Sequence, residues 1–346
     1  EICGIPETQL LQAAEWFATS KATLSLYCQG LNQSSSGTAK NASLVHLHLA
    51  TGHIGKPGAG PLSLTGQPNA MGGREVGGLA NLLSAHRDLA NPLHRKEVAN
   101  LWGLEDVPAM PGKTAVEMFQ AAADGEIKVL WIACTNPAQS MPDQRMVRKA
   151  LERAELVVVQ EAFATAETCA FADLLLPATT WGEKEGTVTN SERRITRVRA
   201  AVPPSGLAKH DWQIGLNLAN HLSKYDVFKP LALRMNFSYS NPEAIWNEHR
   251  ESTRGKDLDI TGLSYAQLEH QPEQWPMPEG ASSGVKRLYE NGIFPTFSGK
   301  AKFVALEYVP VSEPCESRFP FSFNTGRLRD QWHGMTRTGT IAKLFG

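Results

Sequence analysis

Three short, wholly apolar runs, Val129–Ala133, Leu156–Val159 and Leu174–Leu176, alternate with helix-patterned stretches and leave this chain few folds to choose from. Apolar runs this short and this continuous fit strands covered on both faces, as in a parallel sheet. Ala115–Ala123 precedes them, and Met146–Ala154 and Thr165–Ala172 lie between them, all with helical spacing. That alternation implies βαβ crossovers. An earlier lap repeats it, with Pro6–Ala18 as helix, Ala22–Cys28 as strand and Thr38–Thr51 as helix. The expected class is α/β: mostly parallel, doubly wound, Rossmann-like sheets with helices on both faces. Ligands of such sheets gather where the strand carboxyl ends open into loops. Here those loops are Gln29-Gly30-Leu31-Asn32-Gln33, Cys134-Thr135-Asn136-Pro137, Gln160-Glu161-Ala162 and Pro177-Ala178-Thr179.

After Val202 the texture changes. His210–Leu222, Pro242–Glu248 and Gly262–Glu269 read as helices joined by Pro- and Gly-rich connections. Lys302–Val309 reads as a strand, and Pro320–Asn324 starts another. The expected division is 1–62 and 63–205 as two α/β cofactor-binding domains, 206–315 as a helical and irregular connection, and 316–346 as the start of a β-barrel-like domain.

At 346 residues the chain exceeds what a single core usually serves. Its net charge of -1 argues against a nucleic-acid partner, which would call for a basic excess. No apolar run approaches the length of a membrane span. Five scattered cysteines, with no Cys-x-x-Cys, give no zinc or iron–sulfur ligand set, and an odd count fits reduced thiols in a cytoplasmic protein. Neither end reads as a natural terminus, so the chain is expected to be an internal fragment.

Three motifs carry the chemistry. Thr65–Gly78 holds five glycines around one cation, Arg74, with Gln67, Asn69 and Met71 beside Gly72 and Gly73. Glycines let backbone approach a large, flat, anionic ligand closely. The alternative is a Gly-rich surface turn with Arg74 in water. Trp181–Arg194 then gathers Glu183, Glu185, Asn190, Glu192 and Arg193: carboxylates suited to ring amino groups and arginines suited to phosphate, or else a solvated hairpin. Asn324–Arg337 brings Thr325, Gly326, Arg327, Trp332 and His333 together, too polar for a core. The phosphate-loop pattern fails twice, because Ala50 and Val107 stand where it needs glycine.

These motifs, with Gln29–Ser34, Thr135–Asp143 and Ala172–Pro177, resemble the molybdenum oxidoreductases that carry a bis-molybdopterin guanine dinucleotide, and among them the assimilatory nitrate reductases. The resemblance implies four domains around an elongated cofactor, with a [4Fe-4S] cluster and the molybdenum-ligating cysteine in a missing amino-terminal region. It implies oxygen-atom transfer from nitrate, with electrons from a ferredoxin, a flavodoxin or an NADH-linked reductase. Arg74 becomes the expected catalytic cation. The expected cofactor contacts are Gln29, Gly30, Asn32, Gln33, Gln67, Met71, Gly72, Gly73, Asn136, Pro137, Gln160, Glu161, Asn190, Glu192, Arg193, Thr325, Gly326, Arg327, Trp332 and His333, with no metal ligand in the chain itself. Gln29 favours the assimilatory branch, and Gly334 departs from the expected Thr. The alternatives are a periplasmic nitrate reductase or formate dehydrogenase of the same fold, or a cofactor-free relative in a respiratory complex. The fragment alone is expected to be inactive.

Overall fold

The computed structural model describes residues 4–226 and 238–323, together with 326, 328, 329, 331, 334, 335 and 338–345. In chain order it forms α1 (Glu7–Thr19), β1 (Leu24–Tyr27), the single turn α2 (Gln29–Asn32), α3 (Gly37–Ala50), β2 (Gly60–Ser63) and α4 (Ala70–Glu75). Then follow β3 (Leu82–Leu83), β4 (Arg87–Asp88), α5 (Pro92–Trp102), α6 (Ala115–Asp124), β5 (Val129–Ala133), α7 (Pro137–Ser140), α8 (Gln144–Arg153) and β6 (Leu156–Glu161). After them come β7 (Leu174–Pro177), β8 (Gly186–Thr189), β9 (Arg194–Val198), α9 (Asp211–Leu222) and β10 (Glu273–Gln274), with helices at Pro242–Ser252 and Tyr265–His270. Two compact units result. The first comprises Glu1–Gly72, Val188–Thr196 and Arg254–Asn324; the second comprises Gly73–Thr187, Arg197–Thr253 and Thr325–Gly346.

The second unit is built on a parallel sheet in the order β5-β6-β7, with Val129 opposite Leu156 and Val158 opposite Leu174. One face of it, Leu130, Ile132, Val157 and Val159, is buried against Phe119, Ala122 and Ala123 of α6 and Val147, Ala150 and Leu151 of α8. Each fully buried aliphatic side chain contributes about 1.5–3 kcal/mol. On the other face Val129 and Trp131 are exposed. Helix α6 begins with a capping box in which Thr114 Oγ1 accepts from the Glu117 backbone N–H and the Thr114 backbone N–H donates to the Glu117 carboxylate. The Gly112-Lys113-Thr114 triplet is therefore a helix start.

In the first unit, β1 and β2 pair in parallel from Leu24–Gly60 to Tyr27–Ser63, with α3 lying between them in sequence. Strand β10 pairs antiparallel with β9, setting Glu273 opposite Ile195. Ile195, Leu258, Ile260, Leu263, Leu268, Trp275 and Met277 are buried in this unit. So are His48 and His53, whose Nε2 atoms pair with Ser25 Oγ at 2.8 Å and the Phe17 carbonyl at 2.9 Å.

One expectation is overturned. Every described sheet has two or three strands, and none closes into a barrel. Neither 302–309 nor the described part of 320–324 forms a strand. Phe303, Val304, Tyr308, Val309, Phe321 and Phe323 are exposed. Apolar alternation marks a segment that can pair, but a strand exists only with a partner ladder, and barrel closure needs a complete ring of them.

Candidate functional site

In the first unit, the carboxyl ends of β1 and β2 carry the first predicted contacts. The expected polar loop after β1 is the helical turn α2, because the amides of Leu31 and Asn32 both donate to the Cys28 carbonyl at 3.0 Å. Gln29, Gly30, Asn32 and Gln33 are exposed on it. Asn32 Nδ2 donates to Ser63 Oγ of β2 at 3.1 Å, and Cys28 Sγ donates to the Leu64 carbonyl at 3.1 Å. These two bonds hold the Gln29 turn beside the start of the Gly-rich loop. Gln67 follows, exposed. Asn69 Oδ1 accepts from the Thr189 amide of β8 at 2.9 Å, tying that loop to the hairpin that bears Asn190.

The Gly-rich stretch is partly helical, since Ala70–Glu75 forms α4. Its glycines do different jobs. A Cβ on buried Gly72 would sit 2.1 Å from Asn69 Oδ1, so that glycine makes room for the bond to Thr189. Gly77, at φ +78°, and Gly78 permit close approach to Leu83 and to the Gly73 carbonyl. Gly73 and Gly30 have no atom within 4 Å of where a Cβ would stand, so their backbones face open space. Met71 is half-buried. Arg74 is exposed in the last turn of α4, and among the described residues its guanidinium has no hydrogen bond or ion pair.

The β8–β9 turn is braced first from within. Asn190 Oδ1 accepts from the amides of Glu192 and Arg194, both at 3.0 Å, while Arg194 Nε donates to Glu192 Oε1 at 3.1 Å. Hydrogen bonds from Asn190 and then Arg194 hold the Glu192 carboxyl below the usual carboxylate range. Arg193, at φ +68°, turns its guanidinium away from Glu192 to donate to the carbonyls of Trp275, Val285 and Lys286, and lies over the Trp275 ring at 5.2 Å.

In the second unit, Asn136 braces its neighbours. Its Oδ1 accepts from Thr168 Oγ1 at 2.7 Å, and its Nδ2 donates to Glu167. Pro137, buried, opens α7. Glu161 Oε1 accepts from the amides of Ala162 and Phe163. Glu183, read in sequence as an acceptor for ring amino groups, instead accepts from Thr180 and from the Ser205 amide.

Sequence reading missed Asp211 and Lys184. Buried Gln160 donates through Nε2 to Asp211 Oδ1 at 2.8 Å, Lys184 Nζ donates to Asp211 Oδ2 at 2.7 Å, and Cys134 Sγ lies 3.6 Å from Oδ1. Burial raises the Asp211 carboxyl, but the bonds from Lys184 and Gln160 outweigh it and leave the group below its ordinary range. Burial, then the Asp211 charge, push the Cys134 thiol up to about 11, even though part of its surface is open. Lys184 also lies 5.7 Å over the exposed Trp181 ring. The usable signal was Asp211-Trp212 at the start of the helix read over His210–Leu222. A separate cavity of about 680 Å³ along β5 has a mainly apolar lining that includes Met118, Trp131 and Pro137, with Lys113 as its one charged residue.

Gly326 is exposed, whereas Thr325, Arg327, Trp332 and His333 lie outside the described residues. Among the described residues no group of three His, Cys, Asp or Glu could hold a metal. In the first unit the exposed side-chain amides of Gln29, Asn32, Gln33 and Gln67 and the open backbone of Gly30 lie at or just past the β1 and β2 ends.

A family model described as molybdopterin oxidoreductase matches residues 12–221. Over 351 residues the chain is 42% identical to a nitrate reductase of Synechocystis, covering 99% of this chain and 48% of that protein. It is 34% identical over 363 residues to a periplasmic nitrate reductase of Desulfovibrio desulfuricans, covering 99% and 47%. It is also 34% identical over 343 residues to a formate dehydrogenase alpha subunit of Methanocaldococcus jannaschii, covering 99% and 48%. The solved acetylene hydratase of Pelobacter acetylenicus superposes with a TM-score of 0.54 at 16% identity, covering 86% of this chain and 40% of that one, and so shares the fold. The chain therefore spans about half the length of these curated relatives. It belongs to the molybdopterin oxidoreductase family.

Proposed function

We propose that the whole protein of which this chain is part is a molybdopterin-dependent oxidoreductase of the nitrate-reductase-like group, reducing nitrate to nitrite. The observation that carries the reading is Arg74: an exposed guanidinium, without a partner among the described residues, one position past a glycine whose backbone faces open space. A nitrate anion entering a buried site loses hydration, and planar cationic donors offset part of that loss. The bound bis-molybdopterin guanine dinucleotide supplies the two-electron step in which nitrate, two protons and two electrons give nitrite and water. The chain's own residues bind and orient. Gln29, Asn32, Gln33 and Gln67 offer amide donors and acceptors along the β1 and β2 ends, where Gly30 admits close approach. Asp211 with Gln160, flanked by Lys184 and Trp181, offers a carboxylate beside a flat ring, a pairing suited to a purine edge. We assign 1–62 and 63–205 to cofactor-binding domains and 206–315 to the connection between them and the rest of the protein.

Identities of 42% and 34% to two nitrate reductases and 34% to a formate dehydrogenase support a second reading, in which the protein is a periplasmic nitrate reductase or oxidises formate. Among the described residues no helix is long and apolar enough to cross a membrane. Full-length protein assayed for molybdenum, pterin fluorescence and turnover of nitrate against formate separates the readings. Arg74→Ala is expected to lower nitrate turnover about 10²-fold with cofactor content unchanged. Loss of cofactor at preserved turnover per cofactor would make Arg74 a phosphate clamp.

A further inference from the structure

Arg193 stands at the corner of the β8–β9 turn, where its amide donates to the Asn190 carbonyl at 2.9 Å. Its φ of +68° is a left-handed conformation that costs a residue with a Cβ, so something else must hold it there. The surroundings supply that hold. Nη1 donates to the Trp275 and Val285 carbonyls and Nη2 to the Val285 and Lys286 carbonyls, while the ring of Trp275 packs against the guanidinium. The Trp275 amide in turn donates to the Arg193 carbonyl at 3.2 Å, and Gln274 Nε2 donates to the Glu192 carbonyl at 2.8 Å. Both terminal nitrogens of the fork that would grip a phosphate are already directed at carbonyls.

We propose that Arg193 is a positioning residue that clamps the 274–286 segment to the turn and so fixes how Asn190 and Glu192 are presented, instead of pairing with cofactor phosphate itself. The clamp is a property of the protein alone and exists before any cofactor arrives. Its consequence for cofactor retention rests on the function proposed above.

The test uses full-length protein made both with cofactor and in cells unable to make molybdopterin. Hydrogen exchange is followed at the amides of Glu192, Arg194, Trp275 and Val285 in wild type, Arg193→Lys and Arg193→Gln. Gln serves if Lys fails to accumulate, since its amide can still satisfy one carbonyl. Glu192→Gln is the comparison, because it leaves the clamp intact. The expected result is exchange faster by more than about tenfold in the Arg193 variants in both preparations, with cofactor lost faster on dialysis and Glu192→Gln exchanging as wild type. Unchanged exchange, or faster exchange only in the loaded preparation, would overturn the proposal in favour of a phosphate contact. Faster exchange with wild-type cofactor retention would overturn the positioning role. Wild type that carries no pterin at all would sink the functional reading, while the cofactor-free comparison still decides the clamp.

Discussion

Two arginines that look alike in the sequence behave in opposite ways in the structure. Arg193 follows a strand in a polar turn, and Arg74 sits among glycines, so both invite assignment to an anionic ligand. Both terminal nitrogens of Arg193 are taken up by the carbonyls of Trp275, Val285 and Lys286, whereas Arg74 is exposed with no side-chain partner among the described residues. A half-buried guanidinium still seeks acceptors, and backbone carbonyls supply them as readily as phosphate does. Polarity near a strand end therefore marks a place where donors are needed. It does not say whether a ligand or the chain meets the need.

The sharpest way to break this contrast is to remove the seat of Arg193. A Cβ on buried Gly284 would lie 1.7 Å from the Gln274 carbonyl oxygen, closer than any contact can be, so backbone must move. Gly284→Ala is expected to destabilise the first unit by more than about 3 kcal/mol, read as a lowered urea midpoint. Gly73→Ala, beside Arg74, meets nothing within 4 Å and should change that midpoint by less than about 1 kcal/mol. Equal effects at the two glycines would erase the distinction between a closed and an open arginine.

Acid probes the second unit independently. Burial, and then His86, push the His249 imidazole down to about 4, with no hydrogen bond to either ring nitrogen among the described residues. A histidine whose folded value lies below its unfolded one binds its proton more readily when unfolded. Its contribution is thus complete above the unfolded value near 6.5 and is lost as pH falls toward 4. The loss amounts to about 3 kcal/mol, and His249→Leu should flatten that part of the stability profile. His48 in the first unit shifts the same way, by burial and then His53, so some acid slope should survive in the variant. A profile that stays as steep in His249→Leu as in wild type would show that His249 is not the group responsible. Arg74→Ala should leave the profile unchanged, since its predicted loss, about 10²-fold in turnover, concerns ligand alone.

How much of this could be read beforehand depends on the range of the interactions. The β5-β6-β7 sheet was legible, because Val129–Ala133 and Leu156–Val159 are apolar at every position and the intervening helix has a strong amphipathic pattern. The capping of α6 is local too, since Glu117 stands three residues after Thr114. The distant partners were not legible. Nothing within ten residues of Arg193 shows that it will meet Val285, and nothing near Gly72 shows that Asn69 will reach Thr189. The barrel failed for a related reason: the alternation of Phe319, Phe321 and Phe323 states a capacity to pair and carries no information about a partner. Asp211 escaped notice because its partners Gln160, Lys184 and Cys134 lie 27 to 77 residues away in sequence.

That last cluster offers the finest test, since it stands between the two arginines in character. Lys184 and Asp211 are partly exposed, so their ion pair contributes about 0–1 kcal/mol and stability will scarcely report on it. The Cys134 thiol is a better reporter, because thiolate is the reactive form. Burial is the larger cause of its high value of about 11, and the Asp211 carboxylate is the next. Asp211→Asn removes the second cause and leaves the first, so the thiol should fall partway toward an ordinary value. Alkylation of Cys134 by iodoacetamide at pH 8 should then quicken severalfold, read by mass spectrometry of the 134-containing peptide. Lys184→Met should act in the opposite direction, because that cation lowers the thiol. If neither substitution changes the rate, the carboxylate does not bear on the thiol, and the cluster is closed on itself in the manner of Arg193.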